Sequence, residues 1–201
     1  MNAARPLVVG VTGHRVLSEV DKIAAGIDAA LDAIATVFPE RPVLVASALA
    51  EGADRIVAHR ALARPGASLE AILPLPRDDY ATDFMSDESR REFASLLERA
   101  GHVVQLPPAS VRNEAYEAGG RYVLDHCELL LAIWDGLAAQ GQGGTGAIVA
   151  AARLRGLPIA WVHAGNRKPG TMEATTLGDQ QGAVTYERFP TSSASTPGQH
   201  R

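Results

Sequence analysis

The residues of this sequence best suited to chemistry on an anion begin with Gly141-Gln142-Gly143-Gly144-Thr145-Gly146. Glycines let backbone N–H groups approach a bound anion closely. A helix starting there adds unpaired donors and the positive end of its dipole. With Thr145 near the N-cap of an Ala-rich segment, the stretch reads either as a phosphate cradle or as a ligand-free tight turn. Thr12-Gly13-His14-Arg15 offers a second turn, with a guanidinium able to hold a phosphate through two parallel hydrogen bonds. The plain alternatives are a solvated Arg15 and a packed His14. Ser47-Ala48-Leu49-Ala50-Glu51-Gly52-Ala53-Asp54 places Glu51 and Asp54 at a helix start, where they either cap the helix or accept hydrogen bonds from ribose hydroxyls. Trp134-Asp135-Gly136 sets Asp135 on a pocket wall or in a common Asp-Gly turn, with Trp134 in the core. In Tyr116-Glu117-Ala118-Gly119-Gly120-Arg121 the glycines leave Arg121 room to reach a site, although spacing alone favours an exposed helix arginine. The ligand-binding candidates are thus Gly13, His14, Arg15, Ser47, Glu51, Gly52, Asp54, Arg121, Asp135, Gly143, Gly144, Thr145 and Gly146, and the candidate catalytic acids are Glu51, Asp54 and Asp135.

Alternating strands and helices must position these residues. Leu7 to Val11 is apolar and β-branched and reads as a first strand. Ile23, Ile27, Leu31, Ile34 and Phe38 recur at helical spacing over Val20 to Phe38, and Pro39 and Pro42 close that helix. Val43 to Ser47 is a strand, Ala53 to Ala63 a helix and Leu69 to Leu73 a strand, giving a βαβαβ order with right-handed crossovers. Pro74 to Asp87 reads as a loop over the sheet's carboxyl edge. Ser86 to Ala100 is a helix with Phe93, Leu96 and Leu97 inward, and His102 to Leu106 a strand stopped by Pro107-Pro108. Asn113 to Cys127 is a helix in which Gly119-Gly120 marks a kink or a close approach. Leu129 to Trp134 suits a strand buried on both faces. Ala147 to Leu154 is helical and Pro158 to His163 a sixth strand. The expected fold is an α/β three-layer sandwich of about six mostly parallel strands with helices on both faces, binding ligands outside the strands' carboxyl ends. It occupies residues 1–165. Residues 166–201 form an extension ordered around 183–190, where Val184 to Phe189 reads as an edge strand or a tail packed on the core, and otherwise flexible.

The totals narrow the chemistry. At 201 residues, 46% hydrophobic and 21% charged, the chain fits one soluble domain with an ordinary core. A net charge of −4 argues against binding a nucleic-acid backbone through bulk charge. One cysteine, Cys127, permits no internal disulfide and suits a reducing cytoplasm. No apolar run is long enough for a membrane span, and Met1 to Pro6 lacks a signal core. The six histidines form no HxxxH or His/Cys cluster, so no metal is expected, and no GxSxG elbow is present.

Over about Leu7 to His163 these motifs resemble the STING-and-LOG (SLOG) superfamily of Rossmann-like domains, which includes the LONELY GUY (lysine-decarboxylase-like) phosphoribohydrolases and DNA-processing protein A. The stretch Ser47 to Asp54, followed by Ala58-His59, resembles the second-strand signature of DNA-processing protein A. Arg121 and Gly143-Gly144-Thr145 resemble the arginine and GGxGTxxE loop of the phosphoribohydrolases, which implies a substrate-orienting role for Arg121 and phosphate binding by the loop. Two departures matter. Glu51 stands where the DNA-processing pattern has an arginine, and an acid repels a DNA backbone. Ile148 stands where the phosphoribohydrolases carry their catalytic glutamate, and an aliphatic side chain transfers no proton.

The expected function is therefore a cytoplasmic module binding a nucleotide or phosphoribosyl-type ligand, as a sensor of a nucleotide-derived signal, with no cofactor beyond that ligand and no nucleic-acid or membrane partner. A homodimer or higher homo-oligomer is implied by the resemblance. One alternative is an N-glycoside hydrolase or (deoxy)ribosyltransferase with relocated acids Glu51, Asp54 and Asp135, completed by Glu114 or Tyr116 and fainter in its likeness to nucleoside deoxyribosyltransferases over Leu129 to Ala152. Another is a molybdenum-cofactor-carrier-like protein.

Overall fold

A computed structural model describes residues 4–138 and 144–190. In chain order its elements are β1 (Leu7–Gly13), α1 (Val20–Val37), β2 (Val43–Ser47), α2 (Ala53–Leu62), β3 (Ser68–Leu73), α3 (Arg77–Ala81), α4 (Asp87–Arg99), β4 (His102–Gln105), α5 (Arg112–His126), β5 (Leu129–Trp134), α6 (Thr145–Leu154), β6 (Ile159–His163) and β7 (Val184–Glu187). The strands form one sheet in the order β4-β3-β2-β1-β5-β6-β7. Every pairing is parallel except β6 with β7. This is the α/β, Rossmann-like sandwich expected from the sequence, with an antiparallel seventh strand resolving the choice left open for Val184 to Phe189.

The central strand shows why the layers form. All six residues of β5 are buried. Leu129, Leu131 and Ile133 join the core that includes Ile23, Ile27 and Leu31 of α1 and Val57 of α2, whereas Leu130, Ala132 and Trp134 pack with Ile148 and Val149 of α6 on the opposite face. Both sides of the strand leave water, so a continuous apolar run replaces the usual alternation. Helices α1, α2 and α4 cover one face, and α5 and α6 the other. From β1 the chain steps outward through β2, β3 and β4, then returns along α5 to β5 on the other side of β1. Crossovers therefore leave in opposite senses between β1 and β5, and the crevice of such a sheet opens at the carboxyl ends of those two strands.

Two segments differ from expectation. The loop expected over Pro74 to Asp87 contains α3, five residues too short to show a period, which sinks Tyr80 against Phe84 and Phe93. Order also reaches back before Val184: buried Gln181 accepts hydrogen bonds from the Gly165 and Leu177 N–H groups (2.9 and 3.1 Å) and donates to the Ser18 carbonyl (2.9 Å). The polar composition of this stretch concealed its order because its partners belong to distant elements. Helix α5 continues through Gly119-Gly120 without a break. A Cβ on Gly120 would stand 2.6 Å from Ile148 Cδ1, so the close approach, not the kink, explains that glycine. Among the described residues, no helix is long and apolar enough to cross a membrane.

Candidate functional site

Two loops meet at the carboxyl edge because two glycines allow it. A Cβ on Gly13 would overlap that of Ala53 and lie 2.9 Å from the Ile133 carbonyl. Gly52 has φ +83°, and a Cβ there would lie 2.6 Å from the His14 carbonyl. That carbonyl accepts the Ala53 N–H at 3.1 Å, locking the β1–α1 loop onto the start of α2. Gly13 and Gly52 thus have packing reasons independent of any ligand.

His14 ties the ends of β1 and β5 together. Its backbone N–H donates to Ile133 O (3.1 Å), and its Nε2 accepts the Asp135 backbone N–H (3.1 Å) while lying 3.3 Å from Asp135 Oδ2. Burial holds the imidazole below its ordinary pKa despite Asp135, which favours the neutral ring accepting that N–H. Asp135 Oδ1 accepts the Leu137 N–H (2.9 Å), closing the Asp-Gly turn. The Trp134 indole donates to Leu137 O (3.0 Å) from a buried ring, so it belongs to the core.

Asp54 sits below these loops, only 6% exposed. Its Oδ2 accepts from Ser47 Oγ (3.0 Å) and the Ala50 N–H (3.3 Å). Burial pushes its carboxyl up to about 6, although Ser47, Ala50 and the charges of Arg15 and Arg55 oppose the rise. Between β2 and α2 the chain passes through Leu49 at φ 56°, a left-handed conformation uncommon for a bulky residue. Ser47 Oγ accepts the Leu49 N–H (3.1 Å), and buried Arg55 donates from Nε to the Leu49 carbonyl (3.0 Å). Arg55 also reaches Ser89 O (2.9 Å) and Glu92 (3.0 Å), and its guanidinium lies 4.3 Å from the Phe84 ring centroid. Sequence reasoning missed this anchor. Its signal was position: Arg55 precedes Ala58 by three residues, on the inward arc of α2. Glu51 is already engaged, accepting from the Met85 N–H (3.1 Å) and Ser89 Oγ near the start of α4.

Arg15 is different. Its side chain is exposed and, among the described residues, makes no hydrogen bond or ion pair; its guanidinium lies 5.7 Å from the Tyr116 ring centroid. Beside Tyr116 lies Tyr80, 1% exposed. Burial, and then the charge of Asp54, hold the Tyr80 hydroxyl well above the usual phenol range. Tyr116 donates to Asp83, and Arg112 bonds Asp79 (2.8 Å), Asp83 (2.9 Å) and Tyr116 (2.8 Å), clamping α3 to the start of α5. Neither Tyr80 nor Arg112 stands out in the sequence, because the Pro- and Asp-rich stretch from Pro74 to Asp87 reads as a loop.

Other candidates lie apart from this cluster. Arg121 is exposed and pairs with Glu117 one turn away (2.6 Å), in a groove between α5 and α6 lined also by Leu124, Ala151 and Arg155. The role implied for it by resemblance finds no partner at the β1–β5 crevice among its contacts. Glu114 is exposed and forms no side-chain bond to the cluster. Gly143 lies outside the described residues. Gly144 is the N-cap of α6, with Thr145 and Gly146 in the first turn and no side-chain cap. Gly144 has φ −82°, and among the described residues nothing lies within 4 Å of where its Cβ would be. Among the described residues, neither strain nor packing demands glycine at that position.

No protein-family model and no curated protein matches the sequence. Among solved structures, the chain is similar to DNA processing protein A (DprA) from Streptococcus pneumoniae, with a TM-score of 0.53 and 18% identity over 89% of this chain and 54% of that one. It also matches the Moco carrier protein of Chlamydomonas rheinhardtii with a TM-score of 0.43 and 17% identity, over 79% of this chain and 76% of that one. The chain spans about half the length of the DNA processing protein. At this identity the likeness establishes a shared Rossmann-like fold, in keeping with the resemblance carried by the sequence motifs.

Proposed function

We propose that the crevice between the carboxyl ends of β1 and β5 binds a small anionic ligand of the nucleotide or phosphoribosyl type, with Arg15 as its charged partner. The observation that carries this reading is the guanidinium of Arg15, without a hydrogen bond or ion pair among the described residues and beside the Tyr116 ring, at the edge where the sheet changes direction. The start of α6 lends support to a phosphate site, because among the described residues its first N–H groups have no side-chain cap. Ile148 favours binding over hydrolysis: it is an aliphatic side chain buried against Gly120, and it transfers no proton.

The test is native mass spectrometry of gently purified protein, followed by thermal shifts with 5′-nucleoside monophosphates, ADP-ribose and ribose 5-phosphate. A retained mass or a rise of several degrees supports the reading. Absence of both, across all these compounds, rejects it.

One observation favours a second reading, an N-glycoside hydrolase or transferase. A carboxyl near 6, as at Asp54, is in the range of a general acid or base at neutral pH. Its prediction is release of free base from nucleosides or nucleotides, lost in Asp54→Asn. Release no faster than without protein eliminates it.

A further inference from the structure

At the amino edge of the sheet, opposite the crevice, α1 and α2 run out side by side and leave a groove of about 440 Å³ between their ends. We propose that this groove is a second binding site, which takes a small primary amine, an ammonium carried on a compact apolar body.

Small residues make the room. Ala35 of α1, Ala61 of α2 and Ala67 ahead of β3 stand where larger side chains would close the gap, and Leu31, Phe38 and Val43 supply the apolar wall. Leu31 and Ala61 are buried and Ala35 is exposed, so the groove has a core floor and an open mouth. Its rim is held in place. Pro39, Pro42 and Pro65 each lock a backbone angle. Arg41 fastens the α1–β2 loop to the chain just ahead of β1, donating from Nε to the Arg5 carbonyl (3.2 Å) and from Nη2 to the Pro6 carbonyl (2.8 Å). A preformed apolar groove loses little entropy when it is filled.

Charge selects the occupant. Two cations lie in the wall, and both are engaged: Arg41 with Glu128 (3.0 and 2.6 Å), and Arg64 with Asp32 (2.5 Å) and the Asp28 carbonyl (3.0 Å). Glu40 is the other charged residue of the wall; it is exposed and, among the described residues, makes no ion pair or side-chain hydrogen bond. Both helices also end at the groove. The last carbonyls of a helix lack intrahelical donors and carry its negative partial charge. Helix α1 has no basic residue in its last turn to offset that charge. In α2 the last-turn His59 and Arg60 are turned to Glu92 (3.0 Å) and Asp28 (2.9 Å) instead. A carboxylate and helix-end carbonyls accept hydrogen bonds and donate none, so they suit a cation that brings N–H donors and disfavour an anion. An apolar body against Leu31, Phe38 and Val43 and an ammonium beside Glu40 match the two halves of the groove.

The experiment is an amide chemical-shift titration of the isotope-labelled protein at neutral pH with phenethylamine, phenethyl alcohol and hydrocinnamate, which share a body and differ in carrying a cationic, neutral or anionic head. The expected result is saturable shifts from phenethylamine confined to residues 31–43 and 61–67, with the alcohol binding roughly tenfold more weakly and hydrocinnamate more weakly still. Glu40→Gln, on an exposed loop, should lower the amine's affinity roughly threefold and leave the alcohol's unchanged. Ala35→Phe fills the groove from its exposed side and should abolish the shifts from all three probes. Equal affinity for the three heads, an amine preference that Glu40→Gln does not reduce, shifts centred on the β1–β5 crevice, or no saturable shifts overturns the proposal. Should Ala35→Phe fail to fold, the head-group series and Glu40→Gln decide by the same outcomes. AMP binding at the crevice bears on none of them, so the two sites stand or fall separately.

Discussion

Asp54 is maintained against its own solvation. Its carboxyl titrates near 6 in the folded protein and near 3.8 when solvated, so the folded state binds the extra proton. The stability this provides is fully present below about 3.8 and is lost as pH rises through about 6. At neutral pH the buried carboxylate costs on the order of 3 kcal/mol, a cost expected at sites retained for function. Asp54→Asn should therefore raise the melting temperature at pH 7.5 and leave it nearly unchanged at pH 4; equal melting temperatures at both pH values would show that the buried charge is not destabilising. Glycines separate in the same way. Gly13→Ala forces a Cβ into Ala53 and should cost roughly 1–3 kcal/mol in denaturant unfolding. Gly144→Ser meets nothing among the described residues and should change stability by less than about 0.5 kcal/mol, while weakening nucleotide binding if the start of α6 holds phosphate. Sequence alone placed both in one class, since a glycine at a turn looks the same whether a helix or a ligand requires it. His14, Ser47 and Asp135 were legible as a set because each lies at or just past the end of an apolar run, and Asp54 because it stands at the helix start that follows Ser47. Arg121 pairs with Glu117 on the surface of α5 and shares a groove with Ala147 and Ile148 of α6.

At the scale of elements, α3 and the turn after it are held from outside by two side chains of α5, Arg112 and Tyr116. Arg112 bonds Asp79, Asp83 and Tyr116, reaching from the start of α5. Arg112→Ala should leave the parallel strands protected and speed amide hydrogen exchange selectively in residues 77–83, with a matching loss of ligand affinity; uniform exchange changes, or none, would mean that Tyr80 and Phe84 hold α3 without help. The strands and long helices were legible because burial writes periodicity into runs of ten or more residues. Helix α3 was not, having five residues and one fully buried anchor, Tyr80. The 164–183 loop escaped for a related reason: Gln181 and Ser18 are 163 positions apart, and no local pattern records a bond of that separation.

For the whole molecule, one topological fact sets the site. The chain begins in the middle of its sheet, builds outward to β4, and returns to place β5 beside β1, so the loops after these two strands flank a single crevice. Alternation of strands and helices in the sequence implied a parallel sheet; the strand order came only with the structure, because it depends on which side of β1 the long return through α5 deposits β5. The loop that carries Arg15 touches the start of the helix that carries Asp54 because Gly13 and Gly52 allow it.

The most direct test of anion binding at this crevice is a calorimetric titration of AMP at pH 6 into the wild-type protein and into Arg15→Ala. Arg15 makes no hydrogen bond or ion pair among the described residues, so its removal should leave the melting temperature within about a degree. The account expects saturable binding to the wild type and at least a tenfold loss in Arg15→Ala, the scale of one charge-assisted contact. Equal affinity in the two proteins, or no binding to either, would contradict it.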